Sequence, residues 1–211
     1  MTGAGELLLL LADGRWPGGG YAHSGGLEAA VSAGLVHDVA SLDEFVTGRL
    51  HAAGPFEGWI AAQACVGADL SALSTRYDAR TPAPALRRSS TMLGRGLVRS
   101  SARVWPGLRH GDNAEHFAIA VGVVARHAGL SGLDAARLAV HGLVMTTLSA
   151  APKLFAIDTA DALSIAVRLA PAIDAIATGS LSAEPPPARA SLMHEQLAED
   201  HAAWSTRLFA S

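Results

Sequence analysis

The segment covering residues 16–28, with the sequence WPGGGYAHSGGLE, contains five glycines and therefore does not suit a regular helix or strand. Each glycine loses more backbone entropy on ordering than an alanine would, so such a segment favours a loop with unusual backbone angles. A helix-like apolar run begins at Leu27. Because glycine-rich loops that lead into a helix often bind phosphate, the first hypothesis for this segment is a phosphate site.

The glycine-rich segment lacks the residues that nucleotide-binding loops require. A P-loop needs a lysine that contacts the phosphates, and no lysine lies near this segment. A dinucleotide pattern that starts at Gly18 and Gly20 would place its third glycine at position 23, where the chain has His23. The chain also lacks the strand–helix alternation of that fold. A helical enzyme that uses the loop for a phosphorylated ligand is therefore only an alternative.

The composition predicts an all-α protein. Alanine fills 43 of the 211 positions, whereas aromatic residues make up 5% of the chain. Alanine is the strongest helix former, and strands favour β-branched and aromatic residues. With 50% apolar and 17% charged residues, the chain has enough apolar surface for a folded core. We expect a single globular helical domain of about nine or ten helices, followed by an amphipathic C-terminal tail.

Apolar periodicity and helix-end signals place the predicted helices. Ser41 with Glu44, and Ser131 with Asp134, have the spacing of capping boxes. The Gly-Pro pair at residues 54–55 predicts a break or a kink. The predicted helices cover residues 6–12, 24–33, 41–53, 56–66, 82–104, 113–127, 135–149 and 160–177.

Three consecutive prolines after Glu184 predict a stiff linker that divides the chain into residues 1–184 and residues 185–211. Beyond the linker, apolar side chains recur at helical spacing up to Leu208. We expect an amphipathic helix that is held away from the body and becomes ordered with a partner. Trp204, Leu208 and Phe209 would then form a docking surface, because so much apolar surface near a terminus must be buried somewhere.

Charge and cysteine usage exclude several classes of protein. A net charge of −3 provides no general attraction to nucleic acid. The single cysteine, Cys65, excludes an internal disulfide and a C-x-x-C metal clip. No signal peptide and no sufficiently long apolar stretch is recognised, so we expect a cytoplasmic protein without a membrane segment. Arg88, Arg95, Arg99 and Arg103 share one helical face, which is either solvated or suited to an acidic partner.

No catalytic or metal-binding constellation is evident. The chain has no G-x-S-x-G motif, and Cys65 lies in an apolar run typical of a buried residue. His194 and His201 are seven residues apart, whereas paired ligands on one helix need a spacing of three or four. We therefore expect no catalytic residues, no cofactor and no metal site within one chain. A histidine nickel site shared across a dimer remains an alternative.

The motifs resemble those of the urease accessory protein UreF family. The N-terminal pattern Pro-x-Gly-Gly-Tyr-x-His-Ser-x-Gly-Leu-Glu has its counterpart in the glycine-rich segment. Further matches occur in residues 86–95 and 193–195, and the chain ends in the family's Ser/Thr-Arg-Leu-aromatic-x-Ser pattern. The matched N-terminal residues are Pro17, Gly19, Gly20, Tyr21, His23, Ser24, Gly26, Leu27 and Glu28.

The resemblance implies a non-enzymatic, all-helical protein that helps to insert nickel into urease. Its partners would be UreD (also called UreH), the UreG GTPase and the urease apoprotein, and it would form a homodimer within the complex. The docking residues on UreD would be Trp204, Arg207, Leu208, Phe209 and Ser211. The residues that recruit the GTPase would be Tyr21, Glu28 and Arg207, with Gly19, Gly20, Ser24 and Gly26 forming the loop.

Several alternatives remain open at this stage. Instead of binding a partner, the negative charge of Glu28 could interact with the dipole at a helix start, and the positive charge of Arg207 with the dipole at a helix end. A protein that carries nickel directly, through a histidine site at a dimer interface, is the main functional alternative. The segment covering residues 149–158 departs from the family pattern, which puts its role in partner binding in doubt.

Overall fold

The computed structural model describes residues 3–16, 20–108, 116–187, 189 and 191–211, and this part of the chain is all-α, as predicted. The described residues form one 3₁₀ turn, Gly20–Ala22, and nine α-helices, with no strand. The helices are α1 Ala4–Ala12, α2 Leu27–Ser32, α3 Val39–Val66, α4 Leu70–Arg80, α5 Pro84–Ser101, α6 Phe117–His127, α7 Gly132–Leu154, α8 Thr159–Gly179 and α9 Leu192–Ala202.

The central element is α3, a helix of 28 residues that packs against α6, α7 and α8. Two sets of buried apolar side chains lie along it. One set includes Ile60 of α3 and Ile119 of α6, and the other includes Leu42 of α3 and Leu148 of α7. Removal of this apolar surface from water provides the main free energy that favours folding.

The abundance of small residues allows α6 to pack very closely on α3. A Cβ atom added at Gly122 of α6 would overlap the carbonyl oxygen of Ala61 and come within 2.6 Å of the Cβ of Ala64. Both alanines are buried. At this crossing the backbones approach so closely that only glycine fits on the α6 side.

The predicted break at residues 54–55 is wrong, because Pro55 lies inside the continuous helix α3. An internal proline removes one backbone hydrogen bond. However, the neighbouring turn is tightly packed: Gly58 is buried, and a Cβ added there would lie 2.5 Å from Ser180 Oγ. Packing of α7 and α8 against this stretch holds the helix together across the proline.

The helix ends agree only partly with the sequence. The capping box Ser131–Asp134 is confirmed at the start of α7. The box at the start of α3 is formed by Asp38 and Ser41, so the assignment of Ser41 as the capping residue with Glu44 is wrong. The helix α4 was not predicted, and the predicted start of α6 at residue 113 lies outside the described residues.

Helix α8 corrects the expectation that no segment could cross a membrane. By length and composition it is long and apolar enough to do so, with a mean hydropathy of 1.4, although one such helix is weak evidence for a membrane protein. The expectation was based on uninterrupted runs of apolar residues. Helix α8 contains charged residues among its apolar ones, so it has a high mean hydropathy without such a run. In the structure, Ile165 and Leu169 of α8 are buried in the core.

The C-terminal helix α9 is not held away from the body, and that expectation is wrong. It packs against α2 and α5 and buries Leu197 and His201. The proline linker also contacts the body, because Arg80 donates a hydrogen bond to the carbonyl oxygen of Pro186. The residues after α9 then continue to the glycine-rich segment.

Candidate functional site

The tail that follows α9 is held by the carboxylate of Glu28, in the first turn of α2. This carboxylate accepts hydrogen bonds from the backbone N–H groups of Leu208 (2.7 Å) and Phe209 (2.9 Å). Its Oε2 also lies 2.8 Å from Nε2 of His201, which is buried. Glu28 therefore binds three groups of the C-terminal region at once.

The hydrogen bonds change the acidity of Glu28. Burial alone would raise its pKa, but the hydrogen bonds from Leu208 N–H, His201 and Phe209 N–H outweigh burial and lower the pKa. The ionised form is therefore the one that binds the tail. Glu28 lies in the first turn of α2, where the helix dipole also favours a negative charge. The same carboxylate therefore interacts with the helix dipole and binds the tail.

The last residue of the tail is bound by the glycine-rich segment. The main-chain oxygen of Ser211 accepts hydrogen bonds from the N–H (2.6 Å) and hydroxyl (2.9 Å) of Ser24. The hydroxyl of Ser211 lies 2.5 Å from Nδ1 of His23 and accepts a hydrogen bond from Ser89. Both Ser24 and His23 are buried, so the tail ends in a polar contact that is shielded from water.

Two glycines give the segment the backbone conformation that these contacts need. Gly25 and Gly26 have φ angles of 65° and 88°, in the left-handed region where other residues are strained. A Cβ at Gly25 would also lie 2.5 Å from Nη1 of Arg49. Gly20 belongs to the 3₁₀ turn, and Gly19 and Pro17 lie outside the described residues.

The aromatic end of the tail is part of the core. Phe209 is buried and belongs to the same apolar cluster as Leu148. The ammonium group of Lys153 lies 5.5 Å from the centre of its ring, a cation–π distance. Lys153 lies in the segment that departs from the family pattern, so this segment contacts the tail.

The structure divides the predicted site residues into two groups. Glu28, Ser24, Phe209 and Ser211 anchor the tail through the contacts described above. The second group lies at the surface: Tyr21 is 69% exposed, Leu208 is 64% exposed and Arg207 is exposed, whereas Trp204 is only partly exposed and packs against the core cluster that contains Leu148.

The residues of this second group lie on segments that are joined to each other. The N–H of Ala210 donates a hydrogen bond to the carbonyl oxygen of Ala22, at 2.7 Å. This bond holds the end of the tail beside the 3₁₀ turn that carries Tyr21. We call Tyr21, Trp204, Arg207 and Leu208 the tail surface.

Sequence reasoning did not identify His23, Ser89 and His201 as tail contacts. His23 belongs to the N-terminal motif, and His201 lies in the periodic segment of the tail. Both positions were therefore noticed in the sequence, but neither was predicted to contact the tail end or Glu28. Their partners lie far away along the chain, at a separation of 173 residues for His201 and Glu28. Local periodicity carries no information about such pairs.

Within the described part of the chain, neither the histidines nor the arginine face by itself shows a second functional site. No group of three or more histidine, cysteine, aspartate or glutamate side chains that could hold a metal ion occurs among the described residues. Arg88, Arg95, Arg99 and Arg103 are exposed, which is compatible with both a solvated face and an acidic partner.

Comparison with known proteins identifies relatives over most of the chain. The UreF family model matches residues 36–170. A urease accessory protein UreF of Mycobacterium sp. (strain JLS) is 38% identical over 209 residues, which is 97% of each chain. Proteins of the same name from Mycolicibacterium vanbaalenii (39% identical, covering 78% of this chain and 79% of the relative) and Mycobacterium tuberculosis (38% identical, covering 81% and 82%) are also similar.

Proposed function

The chain belongs to the UreF family of urease accessory proteins, and we propose that it acts in urease maturation as a non-enzymatic scaffold. In this proposal it binds UreD (UreH), recruits the UreG GTPase and so supports nickel insertion into the urease apoprotein in the cytoplasm. The observation that supports the scaffold role is the tail surface, in which Tyr21, Arg207 and Leu208 are exposed. The tail that carries Arg207 and Leu208 is anchored by Glu28 and Ser24.

The anchoring contacts favour tight binding of a partner. Glu28 and Ser24 hold the tail backbone, so the backbone that carries Leu208 and Arg207 loses little further conformational entropy on binding. Tyr21 and Arg207 are both exposed, and tyrosine and arginine are enriched among the interface residues that contribute most to affinity. We propose that UreD covers Trp204, Leu208 and Arg207, and that Tyr21 and Arg207 then contribute to the surface that recruits UreG.

Homodimer formation is the second part of the proposal. Helix α8 presents apolar side chains to solvent, with Val167 75% exposed and Leu163 also exposed. Exposed apolar patches on folded proteins mark interaction sites. We expect Val167→Asp to lower the molecular mass of the complex with UreD, measured by light scattering, to that of one copy of each chain. A dimer that persists in this variant would show that α8 is not the interface.

The maturation role is tested in a bacterial host that lacks its own ureF and expresses the urease genes of the source organism with nickel in the medium. We expect urease activity with the wild-type chain and little activity with the double variant Arg207→Ala/Leu208→Asp. Equal activity without the chain would contradict the proposal. Stoichiometric nickel binding by the purified chain would instead favour the nickel carrier.

A further inference from the structure

A cavity of about 390 Å³ lies beneath the glycine-rich segment, between α3, α5, α7 and α9. Its volume is within the range of small-molecule sites. Apolar side chains from three helices line much of it, including Phe56, Leu93 and Leu143. The polar groups that face it include Arg49, Glu57 and His194. None of these three groups has a role in tail anchoring or in the tail surface.

Arg49 places a positive charge at the cavity wall. Its Nη1 donates hydrogen bonds to the carbonyl oxygen of Leu143 (2.6 Å) and to Thr147 Oγ1 (2.8 Å), both neutral acceptors. Among the described residues, no carboxylate lies within 4 Å of its guanidinium group. Burial lowers the pKa of Arg49 to about 10, so the group is still charged at neutral pH. A partly buried charge without a contacting carboxylate favours the binding of an anion.

Glu57 does not neutralise Arg49 by direct contact. It lies eight residues further along α3, about two helical turns, and its Oε1 accepts a hydrogen bond of 2.6 Å from the hydroxyl of Tyr77. Burial raises the pKa of Glu57, against the opposing effects of Tyr77 and Arg49. Ala52 and Ala53 lie between the two charged residues on the cavity wall, and their small side chains leave space there.

His194 adds a largely buried imidazole to the cavity lining. It is only 9% exposed, and its Nδ1 lies 2.6 Å from the hydroxyl of Ser191. If that hydroxyl donates to Nδ1, the neutral imidazole carries its proton on Nε2. Within the described part of the chain, Nε2 has no hydrogen-bond partner. A buried donor without a partner is unfavourable, so an acceptor placed in the cavity would stabilise it.

We propose that this cavity binds a small organic carboxylate, with the carboxylate group at Arg49 and His194 and the apolar part against Phe56 and Leu93. The apolar side chains of Phe56, Leu93 and Leu143 favour this ligand over inorganic phosphate, because they would contact a hydrocarbon part that phosphate lacks. The cavity is also lined by His201 and Ser211 of the tail region. A bound carboxylate therefore stabilises the conformation in which the tail is docked.

The test is isothermal titration calorimetry of the full-length protein with hexanoate, its uncharged analogue hexanamide, and inorganic phosphate. We expect saturable binding of hexanoate, with hexanamide and phosphate at least about tenfold weaker, a loss of the order expected for a charge-assisted hydrogen bond. Equal binding of hexanamide would exclude recognition by charge, and equal binding of phosphate would show a general anion site. No saturable binding of hexanoate would show that the cavity holds only water.

Two variants locate the site. Arg49→Met removes the charge at similar length, and Ala53→Leu fills the cavity while leaving Arg49 in place. We expect both to weaken hexanoate binding by about tenfold or more. If Arg49→Met does not fold, hexanoate binding by Ala53→Leu alone tests the location of the site. Wild-type affinity in a folded Ala53→Leu protein would overturn the proposal.

Discussion

The carboxylate of Glu28 lies 2.8 Å from Nε2 of His201 and joins the first turn of α2 to the last turn of α9. The same carboxylate accepts the N–H groups of Leu208 and Phe209. One side chain therefore fixes both the end of the C-terminal helix and the tail that follows it. The orientation of the tail surface depends on this contact.

The first prediction concerns this contact. Glu28→Gln keeps the size of the side chain but removes its charge, and hydrogen bonds to charged groups contribute about 1.5–3 kcal/mol each. We expect faster amide hydrogen exchange in residues 203–211 and a decrease of several degrees in melting temperature. The control is Glu44→Gln, which changes an exposed carboxylate on α3. Unchanged exchange in the tail of the Glu28 variant would contradict this role.

The second prediction concerns the loop glycines. Gly25 and Gly34 both have positive φ angles, 65° and 72°, but only Gly25 lies against other atoms, those of Arg49 and Thr147. Gly34→Ala should cost about 1 kcal/mol of stability through backbone strain alone. Gly25→Ala should cost at least about 1 kcal/mol more, because the methyl group also displaces the guanidinium group. Chemical denaturation measures both, and equal losses would show that the contact with Arg49 is unimportant.

The third prediction concerns the crossing of α3 and α6. Gly122→Ala should destabilise the protein by about 3 kcal/mol, at the upper end of the usual cost of overpacking, because the methyl group would overlap backbone atoms of α3 that cannot move independently. Gly142→Ala, at an uncrowded helical position in α7, should be neutral or stabilise by up to about 1 kcal/mol. The same denaturation experiment compares them. Similar stabilities of the two variants would contradict the close packing described for α6.

The fold was predictable from the sequence to a large extent, because helix periodicity and capping are local. Ser131 and Asp134 show this at the start of α7. The continuity of α3 through Pro55 was not predictable, since it depends on packing against helices that are distant in sequence. The contacts between Glu28 and the tail could not be predicted for the same reason. The motifs include Glu28 and the tail residues, but these are far apart in sequence and meet only in the folded chain.

The fourth prediction concerns pH. Burial and the nearby charge of Arg49 lower the pKa of His194 to about 4, from an ordinary value near 6.5. The unfolded chain therefore binds a proton at a higher pH than the folded protein, so this stabilisation is complete above about pH 6.5 and is lost as the pH falls towards 4. The loss amounts to at most about 3 kcal/mol.

The variant His194→Gln isolates this effect. Other groups also contribute to acid sensitivity, since burial lowers the pKa of His23 and His141 as well. We expect the free energy of unfolding of His194→Gln to change less between pH 6.5 and 4 than that of the wild type. His51→Gln, which replaces an exposed histidine on α3, is the control. Identical pH profiles of His194→Gln and the wild type would exclude the assigned role of His194.

The central claim is that the tail surface binds UreD, and it is tested most directly by the mass of the complex. This mass is measured by light scattering after size exclusion of the chain mixed with UreD from the same source. We predict a stable complex for the wild type and no complex for Arg207→Ala/Leu208→Asp. The control is Val66→Asp, which also introduces an exposed charge but lies at the end of α3, where the Val66 side chain is 68% exposed. This variant should form the complex as the wild type does. All three proteins should have similar melting temperatures. A complex of unchanged stability with the double variant, or no complex between wild type and well-folded UreD, would contradict the claim.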